Sequence, residues 1–410
     1  MEAEASPYLS EGLLFKILAR LPVKALLRLR TVCRSWKSII ASPEFRSLHL
    51  STNRHSSKIL LTARDYADQE WYILLDNDQH RPADPSWLGL LDFPFGCLDW
   101  TSPHIVGSIN GLICVLVSQT GVPEEQPVIS IMLWNPTIRR HACLPDLTLT
   151  KPNDTSIEFG YDPTTDNYKI VVLASGINVP EFHVFSLNSN AWRRGNFLVH
   201  QCPERGISFI STHAFVGGKM HWLLCKHFER GPYNSYSLYS FDVAEEVFEE
   251  VALPIEDPAM IAIPRPRVAV LGDSLFVGLA SNSWTVWVQI ATGGWNKLFR
   301  VEEPHGSLPT MFVCVLKNGE LVMDKWQHCG FCSFLSAYDP WTRQFKELEL
   351  EDLPFSHMRD FGDVESLNDH QESLVLLDCT PVGIDPAHAT CCSMSCQVQI
   401  KRKTPSGEIC

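Results

Sequence analysis

The sequence has no apolar stretch long enough to cross a membrane and no segment typical of export. Residues 274–296 carry no formal charge, but Ser, Asn, Thr and Gln residues and a Gly-Gly pair interrupt them, whereas a membrane-spanning helix needs about 20 apolar residues. The first seven residues have neither the basic nor the apolar region of a secretory signal. We therefore expect a soluble protein of the cytoplasm, the nucleus or both, whose 14 cysteines are reduced.

An excess of positive charge is also missing. The 34 Lys and Arg residues stand against 47 Asp and Glu residues, a formal net charge of −13, which excludes a protein that binds nucleic acid or an anionic membrane over its whole surface. The charge is unevenly placed: residues 1–50 hold eight basic and four acidic residues, a formal +4, so the remaining 360 residues carry −17. Two modules with different partners are expected.

The first 50 residues have the apolar spacing of short helices. Ser10 is expected to cap the first helix, Pro22 to end it, and a second apolar series to continue until Ser42-Pro43. The apolar residues of the first helix share one face: Leu13, Leu14, Ile17, Leu18 and Leu21. So small a module cannot bury its apolar faces alone, and we expect a partner or a neighbouring domain to complete its core.

Helical periodicity is nearly absent beyond residue 55, where apolar residues alternate at a period of two between clusters of turn residues. The region from 55 to 380 is therefore predicted to be all-β. Strand-like segments lie at residues 58–62, 71–75, 111–117, 129–134, 168–173, 182–187, 219–224, 268–271, 275–279, 285–289, 320–323 and 374–377.

A turn motif repeats through this region. In six places a polar residue that ends a strand is followed six positions later by a ring side chain: Asn135/His141, Asp162/Tyr168, Ser186/Trp192, Asp242/Phe248, Gln289/Trp295 and Asp339/Phe345. Small-residue hairpin turns at 108–111, 217–219, 272–273 and 317–319 precede several of these motifs, and the last three are spaced by roughly 46 to 55 residues. This period predicts the four-stranded blades of a β-propeller, with a sandwich of two sheets as the alternative.

Two sets of motifs carry a resemblance to a known family. Leu-Pro-Val at 21–23, Val-Cys-Arg-Ser-Trp at 32–36 and Ser-Pro-Glu-Phe at 42–45 resemble an F-box, although Leu9-Ser10 replaces the Leu-Pro with which an F-box usually begins. The later pieces are similar to those of the plant-type F-box-associated or kelch-like β-propeller: 106–114, 133–137, 159–163 and 338–340. Only Gly217-Gly218 matches a kelch double glycine.

The resemblance implies a small all-α F-box, a short helix bundle, followed by a large all-β domain that is a β-propeller. It divides the chain into a disordered tail (1–7), the F-box (8–50), a connector with the first strands (51–100), the propeller (101–380) and a Cys-rich flexible tail (381–410).

The resemblance also implies a function, that of the substrate-recognition subunit of a Skp–cullin–F-box E3 ubiquitin ligase. The F-box would dock on a Skp-type adaptor, and through it on cullin and RING subunits, while the propeller binds an unknown target protein; no cofactor, nucleic acid or membrane is implied. By similarity, the shared helical core or adaptor contact contains Leu13, Ile17, Pro22, Val23, Leu27, Val32 and Trp36. Three alternatives stay open: an F-box propeller that sequesters a partner outside a ligase, helices that pack on the propeller with a solvated basic face, and a DNA-reading helix-turn-helix.

Catalytic and metal-binding patterns are weak. Gly-Asp-Ser-Leu at 272–275 matches the opening block of a lipase and esterase family, and a triad can be written with Ser274, Asp385 and His388. Such a nucleophile needs a strand-to-helix turn, whereas a strand is predicted directly after Ser274, so we expect no enzyme. The cysteines at 329–332 and 391–396 lack the paired knuckles of a zinc ribbon, and no metal is expected.

The long connections of the propeller are the candidate substrate-binding loops, because the loops of a rigid scaffold carry most binding residues. They lie at residues 121–127, 178–182, 227–236 and 302–309. Candidate aromatic or cationic anchors are Trp326, Trp341, Arg230, Tyr233 and His305.

Overall fold

The structure is a computed structural model. It describes residues 10–53, 58–65, 70–76, 104–118, 127–149, 154–175, 180–196, 199, 206–227, 235–254, 266–280, 284–301, 310–316, 318–326, 333–347 and 361–376. The predictions for the two tails, 1–7 and 381–410, lie outside these residues.

Four short helices form the described N-terminal part, which we call the helical module: α1 (Glu11–Leu18), α2 (Val23–Leu29), α3 (Arg34–Ala41) and α4 (Pro43–Thr52). Pro22 lies at the N-cap of α2, and the hydroxyl of Ser42 caps α4 by accepting a hydrogen bond from the Phe45 N–H at 3.2 Å. Ser10 occupies the predicted N-cap position of α1, but its side chain makes no capping bond. None of the helices in the described part of the chain has the length and apolar character that crossing a membrane requires.

From residue 58 onward the described chain consists of strands and turns, which confirms the all-β prediction. The strands form six antiparallel sheets. Blade 1 contains β3 (His104–Ile109), β4 (Leu112–Ser118), β5 (Val128–Asn135), β6 (Arg140–Cys143) and β7 (Leu147–Thr148). Blade 2 contains β8 (Asp154–Asp162), β9 (Asn167–Ser175), β10 (Glu181–Ser186) and β11 (Ala191–Asn196). Blade 3 contains β12 (Ile207–Val216), β13 (Lys219–Lys226), β14 (Ser235–Asp242) and β15 (Val247–Val251).

Blade 4 contains β16 (Arg267–Leu271), β17 (Ser274–Ala280), β18 (Trp284–Gln289) and β19 (Trp295–Val301), and blade 5 contains β20 (Thr310–Val315), β21 (Leu321–Trp326), β22 (Ser333–Asp339) and β23 (Gln344–Glu347). The closing blade joins the two ends of the β-domain: β1 (Lys58–Asp65) pairs with β2 (Glu70–Asp76) on one side and with β24 (Phe361–His370) on the other. The segment 51–100, expected to hold a connector and first strands, thus supplies two strands of a blade.

The six blades close into a ring. Strand β3 contacts β8, β8 contacts β12, and the series continues through β16, β20 and β24 back to β3. Each pair of neighbouring sheets from blade 1 to blade 5 shares an apolar cluster, and Leu60 of the closing blade packs against blade 1. Strand β9 is buried at every position because sheets cover both of its faces. The architecture is therefore a propeller, and the alternative of a two-sheet sandwich is wrong.

The repeated turn has a common geometry that explains its sequence. A side-chain oxygen of the first residue accepts the backbone N–H two positions later at 2.8–3.1 Å in Asn135, Asp162, Asp242 and Asp339. The ring side chain six positions on lies opposite the residue before the turn, so that two rings meet across the strands. Ring centroids are 4.7–5.3 Å apart in the pairs Phe241–Phe248, Tyr161–Tyr168, Tyr338–Phe345 and Phe185–Trp192.

The two ends of the propeller differ. Because the strands of a blade are antiparallel, the turn between its first and second strands lies at the same end as the turn between its third and fourth strands. Hydrogen bonds link such turns of neighbouring blades: Asn110 Nδ2 donates to the Tyr168 hydroxyl at 3.2 Å, and Lys169 Nζ donates to the Val243 carbonyl at 2.6 Å. We call this the turn end, and the opposite end, where the second strand of each blade leads to the third, the loop end.

Residues 374–376 do not continue a strand. The prediction of a strand at 374–377 is wrong for these three residues, and residue 377 lies outside the described part. The physical reason is that Leu374 and Leu376 enter two different hydrophobic cores.

Candidate functional site

The helical module has its own small core, which the propeller completes. Its buried residues include Leu18, Leu26 and Phe45, and the rings of Phe15 and Phe45 meet edge to face with centroids 5.2 Å apart. Leu374, from the segment after β24, is buried in the same cluster, and Ile138, from the turn after β5, packs against it. The expectation that a neighbouring domain or a partner completes the core is therefore met, on this side, by the propeller.

Polar contacts accompany this packing. Gln371 Nε2 donates to the Leu50 carbonyl of α4 at 2.7 Å, and Asn53 Nδ2 donates to the Ala19 carbonyl at the end of α1 at 2.9 Å. The imidazole of His49 lies 2.9 Å from the Leu21 carbonyl, and burial lowers the pKa of His49. A neutral histidine thus helps to join α4 to the end of α1.

Three large apolar side chains of the helical module remain exposed. Six large hydrophobic side chains are exposed in the described part of the chain, and three of them belong to the module: Leu13 (48% exposed), Ile17 (43%) and Val32 (63%). Leu13 and Ile17 are one helical turn apart on α1 and so lie on the same face. Covering exposed apolar groups with a partner lowers the free energy, so these residues form a candidate contact for a partner. We call these three exposed residues, Leu13 and Ile17 on α1 and Val32 in the turn between α2 and α3, the open apolar surface.

The other residues expected in the core or adaptor contact divide between these roles. Pro22 is exposed, Leu27 and Trp36 are half-buried, and Val23 is buried within the module. Leu27 also packs against the module core. In the described structure Val23 is therefore a core residue, and a contact to a partner rests on the exposed members of the set.

Basic residues lie close in the sequence to Leu13, Ile17 and Val32. The exposed ones are Lys16, Arg20, Lys24, Arg28, Arg34 and Lys37. They are spread over α1, the turn that follows it, α2 and α3, and are not collected on a single helix, as they are on a DNA-reading recognition helix. This arrangement suits an acidic protein surface, which such charges steer into register.

The candidate substrate loops join strand ends that lie at the loop end. Most residues of 121–127 and 227–236 and all of 302–309 lie outside the described part, as do Arg230, Tyr233 and His305. Of 178–182, residues 180–182 are described, and Glu181 and Phe182 begin β10. Trp326 ends β21 at the loop end. Trp341 lies instead at the turn end, between β22 and β23, with 84% of its surface exposed. It is thus separated from the loops with which it was grouped.

The catalytic pattern does not form a nucleophile turn. Ser274 begins strand β17 and pairs with Leu271 across the Gly272-Asp273 hairpin. Asp385, His388 and the cysteines at 329–332 and 391–396 lie outside the described residues. In the part that is described, no group of three or more His, Cys, Asp or Glu side chains is arranged to hold a metal ion.

The contacts of residues 371–376 with both domains were not foreseen. The apolar run Ser-Leu-Val-Leu-Leu at 373–377 indicated a strand. The one sequence feature that bears on what this segment contacts is the turn at Asn135. A turn asparagine accepts bonds through Oδ1, and its free Nδ2 is then available to a distant backbone.

Comparison with known proteins gives two matching family models. One, described as an F-box associated beta propeller domain, matches residues 90–378, and the other, described as an F-box domain, matches residues 8–48. The first covers the propeller strands from β3 to β24, and the second covers the helical module as far as the middle of α4.

Curated relatives include F-box proteins of Arabidopsis thaliana. A putative F-box protein is 28% identical over 208 residues, covering 47% of this chain and 52% of the relative. An F-box/kelch-repeat protein is 26% identical over 252 residues, covering 58% and 64%, so this chain spans between half and two thirds of these two relatives. Another putative F-box protein is 25% identical over 355 residues, covering 82% and 84%.

Proposed function

This chain belongs to the plant F-box proteins that carry an F-box associated beta propeller domain, and from that premise we propose that it is the substrate-recognition subunit of a Skp–cullin–F-box ubiquitin ligase. Its helical module docks on a Skp-type adaptor, which brings the cullin and RING subunits, and its propeller binds the protein to be modified. The chain contributes no chemical step: it holds a target lysine near activated ubiquitin and so raises the effective concentration of the reactants. It acts in the cytoplasm, the nucleus or both.

The observation that carries this proposal is the open apolar surface. The module packs one side on its own propeller through Leu374 and Ile138, yet Leu13, Ile17 and Val32 remain exposed. Each Å² of apolar surface that a partner covers there stabilises the complex by about 25 cal/mol. The exposed basic residues of the module favour a partner with an acidic surface, which fits an adaptor bound beside them.

The substrate surface is proposed at the loop end. The helical module contacts the propeller at the turn end, where Ile138 and the residues after β24 lie. An adaptor and a target protein bound at opposite ends do not compete for space, and the loops at one end of a propeller commonly form its binding surface.

A matched pair of double variants tests the adaptor contact. The double variant Leu13→Asp with Val32→Asp places charges on the open apolar surface and should weaken binding to a purified Skp-type adaptor more than tenfold. The control, Leu298→Asp with Val247→Asp, changes propeller residues of similar exposure, 40% and 59%, and should bind as the unchanged chain does. Equal binding by both double variants would contradict the proposed contact.

A second experiment separates a ligase from a scaffold. Proximity labelling in cells, with the unchanged chain and with the Leu13→Asp/Val32→Asp variant, identifies proteins near the propeller. Targets of a ligase should remain labelled but live longer when the adaptor contact is lost. If adaptor binding is normal and no labelled protein changes its half-life, the chain sequesters a partner instead.

A further inference from the structure

Residues 371–376 follow β24 and lie between the helical module and the propeller; we call them the coupling segment. Leu374 is 1% exposed and belongs to the module core, whereas Leu376 is 3% exposed and belongs to the core shared by blades 1 and 2. Val375 packs against the propeller core, and Ile138 packs against both cores. One short segment is thus part of the interior of two domains.

Hydrogen bonds hold the coupling segment on blade 1. Asn135 is fully buried, and its Nδ2 lies 3.1 Å from the Ser373 carbonyl, 3.1 Å from the Ser373 hydroxyl and 2.9 Å from the Val375 carbonyl. Gly111 lies directly against the segment, because a Cβ at that position would be 2.4 Å from the Gln371 carbonyl oxygen. Buried amide contacts of this kind are costly to break, so the path of the segment is fixed.

The helical module is attached to the closing blade in two ways. The chain itself leads from α4 to β1, which pairs with β24. The coupling segment then returns from β24 to the module, where Gln371 bonds to Leu50 and Leu374 enters the core. Because the coupling segment contacts both α4 and the module core, it opposes rotation about the single covalent link between α4 and β1.

We propose that the coupling segment is a positioning element: it holds the helical module at one orientation on the propeller, so that the open apolar surface and the loop end keep a constant direction and separation. This inference rests on the proposed function, since a fixed geometry serves ubiquitin transfer between an adaptor-bound complex and a propeller-bound target. Effective concentration depends on such geometry, because attachment helps only when the reacting groups can meet. Leu374, Gln371 and Asn135 act by holding the module in place.

The first test measures attachment without any ligase component. A protease site is introduced between Asn53 and Lys58 of the full chain, the chain is cleaved, and the product is passed over a size-exclusion column. The helical fragment of the unchanged chain should stay with the propeller. Leu374→Asp should weaken retention more than about tenfold because a charge replaces a buried apolar group, and Gln371→Ala about fivefold because one hydrogen bond is lost.

The matched control is Leu298→Asp, a change at an exposed propeller leucine, which should retain the fragment fully. Gln371→Ala leaves the core residue Leu374 unchanged and decides the question if Leu374→Asp does not fold. Separation of the unchanged fragment on cleavage, or retention by Gln371→Ala equal to that of the unchanged chain, would overturn the coupling role.

The second test measures positioning in a ligase reconstituted from a Skp-type adaptor, cullin, RING subunit and ubiquitin-conjugating enzyme. The readout is the set of propeller lysines that the complex modifies on this chain itself, mapped by mass spectrometry. Gln371→Ala should bind the adaptor as the unchanged chain does but spread modification over more lysines, and an identical pattern would overturn the positioning role. If the unchanged chain does not bind the adaptor, the proposed function fails and positioning fails with it, while the retention assay still decides whether the segment couples the domains.

Discussion

A single methyl group at position 111 probes the contact between blade 1 and the coupling segment. Gly111 has a φ of +77°, and a Cβ there would lie 2.4 Å from both the Gln371 carbonyl oxygen and the Ser373 hydroxyl oxygen. Gly218, in the corresponding turn of blade 3, has a φ of +75°, yet a Cβ there would meet no atom within 4 Å. Alanine at the two positions therefore carries the same backbone cost and differs only in the collision.

The backbone cost of Gly218→Ala is about 1–2 kcal/mol of unfolding free energy, because an L-residue is disfavoured in the left-handed region. Gly111→Ala carries that cost and also displaces residues 371–373, which breaks at least one buried contact of Asn135 and adds about 1–3 kcal/mol. The expected total for Gly111→Ala is about 2–5 kcal/mol.

Equilibrium unfolding in urea, followed by tryptophan fluorescence, compares the two variants, and the retention assay after cleavage between Asn53 and Lys58 reports on the module. Gly111→Ala should lose more stability than Gly218→Ala and should also release the helical fragment. Equal losses of stability with full retention in both variants would refute the role assigned to this contact.

Three other properties follow from described side chains. Burial lowers the pKa of His221 from its usual 6.5 to about 4, so the folded state binds fewer protons than the unfolded state, and unfolding free energy should fall by about 3 kcal/mol as the pH drops from 6.5 to 4; His221→Asn should flatten this part of a pH series of urea titrations. Lys169→Met removes a buried amine bonded at 2.6 and 2.8 Å and should cost about 1–3 kcal/mol, whereas Lys219→Met, at an exposed ion pair, should cost less than about 1 kcal/mol; similar values in urea unfolding would contradict this ranking. Phe248→Ala removes one ring contact across a repeated turn, with Phe241, and one with Phe182 of blade 2, and should lower stability by about 2–4 kcal/mol. Val247→Ala beside it, 59% exposed, should change stability little, and thermal unfolding of both variants checks the difference.

The turns of the propeller were predictable because their determinants are local. Asp242 accepts N–H groups two and three positions away, and Phe248 meets Phe241 across the same turn. Closure of the ring was harder to predict from the sequence, because it depends on the pairing of β1 with β24, which are about 300 residues apart. No local pattern specifies that pairing, and turn spacing alone left a sandwich open.

The apolar character of the open apolar surface was predictable, but the residues that stay exposed were not. Periodicity groups Leu13, Ile17 and Leu18 on one face of α1, yet the structure buries Leu18 and leaves the other two exposed. The apolar stripe is wider than the module's own core, and only tertiary packing decides which part stays open. At Leu374 the local pattern itself misleads: the apolar run is typical of a strand, but its residues lie in two different cores.

The place of Leu374 in the core of the helical module also sets an order of events during synthesis. The helices leave the ribosome first, but roughly 320 residues separate Asn53 from Leu374, and at about 5–20 residues per second that is a delay of about 16–64 s. Until then the inner apolar side of the module has no propeller to cover it, and a chain that stops before residue 374 never gains that cover. The residues that join the helical module to the propeller are thus among those of the β-domain that are synthesised last.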